Sequence, residues 1–201
     1  MTIFRKVALV ALAAIGFMSA SCGAYAGYLQ ITGNFHSVID GQFYRSAQPT
    51  SEDLASYVRT HGIKTVINLR GKHPGAAWYD DEVKTAQELG LTHIDFGMSS
   101  SKLISPDKAE RLVELMASAP KPILIHCLSG ADRSGLASSL YVRKIAGLDA
   151  ASAAGQLSFY YGHVGIPVVS TAYAMDRSWD DIEARDGKEA QANLLNGVAV
   201  R

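Results

Sequence analysis

Ten consecutive residues, His126-Cys127-Leu128-Ser129-Gly130-Ala131-Asp132-Arg133-Ser134-Gly135, place a thiol and a guanidinium at the two ends of a short loop. An apolar run, Pro122 to Cys127, precedes the loop, and a helix-type stretch starting near Arg133 follows it. Alternating α/β chains bind ligands at the carboxyl end of a strand that faces a helix start. The N–H groups there have no intrahelical partner and attract anions. The backbone amides of Leu128, Ser129, Gly130, Ala131, Asp132 and Arg133 can therefore curl about one centre, and the planar fork of Arg133 suits two phosphate oxygens. The same field favours a thiolate. The segment is thus expected to supply a nucleophile, Cys127, inside a cradle for a dianion. A buried small hydrophobe is the plainer reading of Cys127. That reading leaves unexplained the histidine before it, the mid-loop glycine, and the Ser134-Gly135 pair after the arginine.

Positioning such a loop takes a sheet. From Phe43 onward short β-type runs alternate with longer helix-type stretches, which predicts a single α/β domain with a central, mostly parallel sheet flanked by helices. Lys64–Leu69, Leu91–Phe96 and Pro122–Cys127 read as strands. A helix is expected from Thr50 to Thr60, ahead of Gly62. A second spans Ala76–Leu89 and is stopped by Gly90. The third begins at Ser105-Pro106-Asp107, with Ser as N-cap and Pro at the first helical position. The fourth runs from about Arg133 to Ile145. Asp149–Tyr161 and Val169–Ala184 also read as helical, and the polar tail from Asp186 is expected to fray.

The chain has 201 residues, 48% hydrophobic and 19% charged, with 19 Lys+Arg against 19 Asp+Glu. That apolar content disfavours disorder, and the balanced charge lacks the basic excess of a nucleic-acid binder. Two cysteines, with no C-x-x-C pair, suggest neither a disulfide scaffold nor a zinc site. Arg5 and Lys6, an apolar run from Val7 to Met18, and small residues ending in Ala24-Tyr25-Ala26 follow the order of a secretory signal peptide. This predicts a signal peptide over 1–26 and one domain over 27–201, its core about 40–185. The apolar run is too short for a spanning helix, so no stable membrane span is expected in the mature chain. Lipoprotein processing at Cys22 is the lesser alternative, because Ser19 stands where such signals carry Leu. Cleavage after Ala26 implies a periplasmic or secreted protein whose only cysteine is Cys127.

The loop resembles the signature H-C-x5-R-[ST]-G of the cysteine-dependent protein tyrosine phosphatase superfamily. Its place after a late strand is similar to that in the dual-specificity-like branch. Phe43-Tyr44-Arg45-Ser46-Ala47-Gln48-Pro49 and Val66-Ile67-Asn68-Leu69-Arg70 resemble segments of bacterial, plant and fungal atypical members, so that the likeness covers roughly residues 40 to 165. It implies a protein tyrosine phosphatase-like fold and a two-step mechanism with a phosphocysteine intermediate on Cys127. Arg133 and the loop amides would bind the equatorial oxygens. Ser134 matches the hydroxyl that stabilises the departing thiolate, and His126 would orient the loop, unless it is simply a satisfied strand-end histidine. No metal or other cofactor is implied. The partner would be a phosphorylated protein or a small phosphate ester.

The family's general acid is an Asp near the loop, and three positions compete. Asp132 lies inside the loop, as in some bacterial and myotubularin-type members, and ranks first, although it could instead only hold Arg133 or a neighbouring loop. Asp95 ends the third strand and ranks second. Asp107, third, sits where the helix dipole alone explains an acid. Met98-Ser99-Ser100-Ser101-Lys102 occupies the stretch where other members carry their Asp. Arg45, Arg70, Lys72 and Lys102 are candidates for a charged rim but more commonly such residues are solvated. His36, His61, His73, His93 and His163 show no metal-ligand spacing and read as surface or structural. The aromatics Trp78, Tyr79, Tyr160 and Tyr161 read as packing. The favoured activity is hydrolysis of phosphotyrosine, with phosphoserine and phosphothreonine as further substrates. Inositol phosphates, pyrophosphates or phosphoinositides are the alternative substrates. A rhodanese-like sulfurtransferase and a non-catalytic phosphate-binding protein rank lower.

Overall fold

No Asp, Glu, Lys or Arg stands between Lys6 and Asp40, and in the computed structural model most of that stretch is one helix, α1 (Ile3–Ile31). At 29 residues it is long and apolar enough to cross a membrane, a property that secretory signals near an N-terminus share. This corrects the expectation of too short a span: the helix continues past Met18 because Ala, Gly, Ser and Tyr extend the uncharged window. The structure describes residues 3–195, and the chain divides into one compact unit ending at Thr32 and another beginning at Gly33.

The second unit holds a five-stranded sheet: β1 (His36–Ile39), β2 (Phe43–Ser46), β3 (Thr65–Asn68), β4 (Thr92–Asp95) and β5 (Ile123–His126), in the order β1-β2-β5-β3-β4. β2, β5, β3 and β4 run parallel, and only the edge strand β1 is antiparallel. The register puts Ser46, His126, Asn68 and Asp95 on a single row. Four loops therefore leave the sheet from one edge, with the Cys127 loop in the middle. β5 reads as a continuous apolar run because both of its faces are covered. Ile123 and Ile125 join a core with Phe43, Ile67, Leu112, Leu136 and Met175, whereas Leu124 joins Tyr44, Leu54, Ile63 and Val66 on the opposite face.

The helices start and stop where their residues dictate. Thr50 and Asp53 form a reciprocal capping box for α2 (Ser51–His61), and Gly62 closes it at φ 66°. α3 (Ala77–Glu88) follows β3, and α4 (Pro106–Ser118) begins at the Ser105 cap. α5 (Asp132–Leu140) is buried from Ser134 to Leu140 and finishes in a π-helical turn, Tyr141–Ile145.

Three expectations need correction. Asp149–Tyr161 is not one helix: α6 (Ala150–Ala154) ends at Gly155, and a separate 3₁₀ turn, Phe159–Tyr161, closes at Gly162, φ 81°. The last helix, α7 (Tyr173–Leu195), starts four residues later than Val169, after turns at Pro167–Val169 and Thr171–Ala172. The tail from Asp186 is helical through Leu195 rather than frayed, with Lys144 paired to Asp186 and Arg143 to Glu183. The end of that tail, 196–201, lies outside the described residues.

Candidate active site

Cys127 follows the last residue of β5 and is 1% exposed. The next four residues have every carbonyl tied away from it. Leu128 O accepts from Gln48 N (3.2 Å) and Ser129 O from Asn34 Nδ2 (2.8 Å). Gly130 O and Ala131 O both accept from the same guanidinium nitrogen of Arg45, at 2.8 Å each. A peptide whose carbonyl points outward presents its N–H on the other side. Among the described residues, the amides of Leu128, Ser129, Gly130 and Ala131 donate no hydrogen bond. The first-turn N–H groups of α5 join them. This is a nest suited to an oxyanion.

Gly130 is required at its place. Its φ is 73°, and a Cβ there would stand 2.6 Å from Ala47 N and 2.7 Å from Ser46 C. The loop thus rides directly on the backbone leaving β2.

Arg45 is the residue that sequence reasoning misplaced. Instead of a solvated or rim charge it is fully buried behind the loop. Besides the two loop carbonyls it holds Gln156 O (2.8 Å) and lies over the Tyr161 ring at 4.0 Å. No carboxylate pairs with it among the described residues. Burial pulls its pKa down to about 10, against the opposing influence of Tyr161, Cys127 and Asp132. Asn34 bridges Ser129 O to Tyr161 O (2.9 Å). Neither Asn34 nor Gln156 was singled out from the sequence, because a lone amide before a short edge strand carries no pattern.

Arg133 lies on the opposite side, with Nη1 3.4 Å from both Leu69 O and Met98 O. Its Nε and the Ser134 hydroxyl are buried with no hydrogen-bond partner. Such orphaned donors are costly unless something occupies the space they face.

Under β5, His126 is fully buried with Nε2 3.1 Å from Glu82 Oε2, near enough for charge pairing but off the direction of a hydrogen bond. Glu82 also meets His93 Nε2 (2.7 Å) and accepts from Gln48 Nε2 (2.5 Å). Burial alone would raise the Glu82 pKa, but the close approach of His126 and bonding to His93 and Gln48 bring it to about 2. Gln48 in turn holds Arg70 (2.9 Å), whose guanidinium stacks on Trp78 at 3.4 Å. Burial and the nearby Arg133 lower the Arg70 pKa, so this half-buried cation sits within reach of the loop's field. Lys72 and Lys102 are exposed. Glu82 was missed. Its signal was its spacing, since Tyr79, Glu82, Thr85 and Ala86 share the buried stripe of α3.

The three acid candidates differ in what they touch. Asp95 has both oxygens engaged, by Tyr79 Oη (2.6 Å) and Asn68 Nδ2 (2.9 Å). Asp107 is exposed in the first turn of α4. Asp132 opens α5, with Oδ1 2.8 Å from His163 Nδ1, while its other oxygen has no protein partner among the described residues. His163 is 3% exposed rather than a surface residue, and its Nε2 lies 2.9 Å from Asp176 Oδ2.

A family model described as DSP-PTPase phosphatase fused to NAD+ kinase matches residues 31–163. No curated protein matches the sequence. Among solved structures, P. aeruginosa TpbA in complex with pTyr is 20% identical with a TM-score of 0.52, covering 66% of this chain and 76% of that one. The core catalytic domain of the PP-IP phosphatase SIW14 from S. cerevisiae is also 20% identical, with a TM-score of 0.56 and coverage of 77% and 93%. Tk-PTP in its active form is 15% identical, at a TM-score of 0.54 and coverage of 73% and 97%. At these identities the likeness to the three structures concerns the fold.

Proposed function

Since the chain belongs to the family of DSP-PTPase phosphatases fused to NAD+ kinase, we propose that it hydrolyses phosphomonoesters of proteins, phosphotyrosine foremost, through a phosphocysteine on Cys127. The observation that carries this reading is the loop whose four carbonyls are bound from behind while its amides are left unpaired around Cys127.

The Cys127 thiolate attacks phosphorus in line. The equatorial oxygens take the amides of Leu128, Ser129, Gly130, Ala131, Asp132 and Arg133 together with the Arg133 guanidinium, whose unpaired Nε then gains an acceptor. Asp132 gives its proton to the leaving oxygen as the P–O bond breaks. Both Asp95 oxygens accept from neighbouring side chains, Asn68 and Tyr79, whereas one Asp132 oxygen has no protein partner among the described residues, which supports Asp132 over it. Water, its proton taken by Asp132, then attacks the phosphocysteine, and the buried Ser134 hydroxyl donates to the sulfur as it departs.

The full chain should turn over a phosphotyrosine peptide faster than phosphoserine peptides or inositol polyphosphates, and Cys127→Ser should lower turnover by more than about 10⁴-fold. Activity confined to soluble polyphosphates would replace the protein substrate by the class that the SIW14 likeness suggests. The apolar α1 supports a secretory signal and a periplasmic site of action. N-terminal sequencing of the exported protein should then begin at Gly27; retention of Phe17 and Met18 would refute cleavage.

A further inference from the structure

Two short contacts on one imidazole place a demand on protons. His163 Nδ1 lies 2.8 Å from Asp132 Oδ1 and Nε2 lies 2.9 Å from Asp176 Oδ2. Each contact between a ring nitrogen and a carboxylate oxygen needs a proton, and a neutral imidazole carries one. The three groups together therefore hold two protons in one of three arrangements. One is an imidazolium between two carboxylates. The other two have a neutral ring and put the second proton on Asp132 or on Asp176. The arrangement with Nε2–H toward Asp176 and the second proton on Asp132 forms from the imidazolium by a shift across one 2.8 Å contact.

We propose that His163 is a positioning residue for the reaction, holding beside the catalytic loop the proton that Asp132 delivers and aiming that carboxyl group from the side of α7. The inference rests on the phosphatase reading above. In the forward step the proton moves from His163 Nδ1 to Asp132 Oδ1, leaving a neutral ring. The carboxyl turns about Cβ–Cγ and gives that proton to the leaving oxygen as the S–P bond forms and the P–O bond breaks. In the second step the attacking water loses a proton to Asp132, which returns it to His163. The cycle closes without net gain of protons.

The surroundings fit this role. His163 is 3% exposed, so bulk water does not compete for its ring nitrogens. Asp176 comes from α7 and Asp132 from α5, and the nearby titratable groups include Arg45 from β2, whose charge interacts with Asp132, and Tyr161, whose ring lies against Arg45. Gly165 leaves the space: a Cβ there would fall 2.1 Å from Asp176 Oδ2. Burial works against protonation of His163, but bonding to Asp132 and Asp176 outweighs it and raises its pKa.

The test compares His163→Gln and Asp176→Asn with the unmodified full chain on a phosphotyrosine peptide, a poor leaving group, and on an activated aryl phosphate, a good one. His163→Gln should lose at least about tenfold more kcat on the peptide than on the activated ester, given that a general acid contributes roughly 10² to 10⁴. The basic limb of its kcat profile on the peptide should move to lower pH. Asp176→Asn, which keeps the shape and removes one carboxylate, should move the same limb in the same direction with a smaller loss. Equal losses on both substrates, or a basic limb that stays in place in both variants, would overturn the role of His163 while leaving Cys127 chemistry intact. An unmodified chain inactive on every ester would instead overturn the phosphatase reading itself.

Discussion

The strand–loop–helix from Ile123 to Leu140 and the segment from Gln156 to His163 contribute to the same site in opposite ways. The first carries the groups proposed to react, Cys127, Arg133 and Ser134, in one contiguous stretch. The second carries none of them, yet it supplies Gln156 O to Arg45, Tyr161 O to Asn34, the Tyr161 ring under the guanidinium, and His163 to Asp132. On the proposed reading, one region supplies the atoms that react and the other holds them. A loop whose working donors are backbone amides cannot be aimed by its own side chains. It has to be held by its carbonyls, and the holders come from elsewhere in the chain.

The largest expected effect that could break this contrast comes from Arg45. In Arg45→Met the carbonyls of Gly130 and Gln156 lose their donor inside the protein, and Ala131 O keeps only Gly135 N–H. At about 1–3 kcal/mol for each buried group left unsatisfied, urea unfolding should show a loss of about 2 kcal/mol or more. Arg45→Lys, which can reach one carbonyl but not several, should fall between. A loss under about 1 kcal/mol for Arg45→Met would mean that the loop holds its shape alone.

A smaller effect sharpens the comparison through pH. The folded-state pKa of His163 is raised, so its contribution to stability is full below its unfolded value near 6.5 and is lost as pH rises through the higher folded value. Urea midpoints measured from pH 6 to 9 should therefore decline more steeply for the unmodified chain than for His163→Gln. Parallel curves would show that the Asp132–His163–Asp176 contact contributes nothing to holding the second region against the first.

The sequence made the reactive region legible because its physics is local. β5 is a short apolar run, the loop is bounded by a thiol and a guanidinium, and α5 begins at the residues that need its free N–H groups. Ser105 and Gly62 likewise marked their helix ends through caps that form within a turn. The supporting region was opaque for the opposite reason. Arg45 and Gln156 are 111 residues apart, and Asn34 and Tyr161 are 127 apart. A buried arginine looks like any surface arginine until the sheet places it, and Glu82 looks like an ordinary helical acid until β5 brings His126 beside it. Asp149–Tyr161 misled because its composition suits a helix, while Gly155 and Gly162 divide it into two short pieces.

Ser46, His126, Asn68 and Asp95 share a single row across four strands. Side chains alternate faces at every step along a strand, so adding or deleting one residue inside β2, β3 or β5 would invert that strand's entire load. Chain-length variation should consequently be tolerated only at the opposite rim, in the connectors around Gly62, Gly90 and Pro120, where an extra residue changes a turn and nothing that touches phosphate. The molecule is open to lengthening from one end and closed to it from the other.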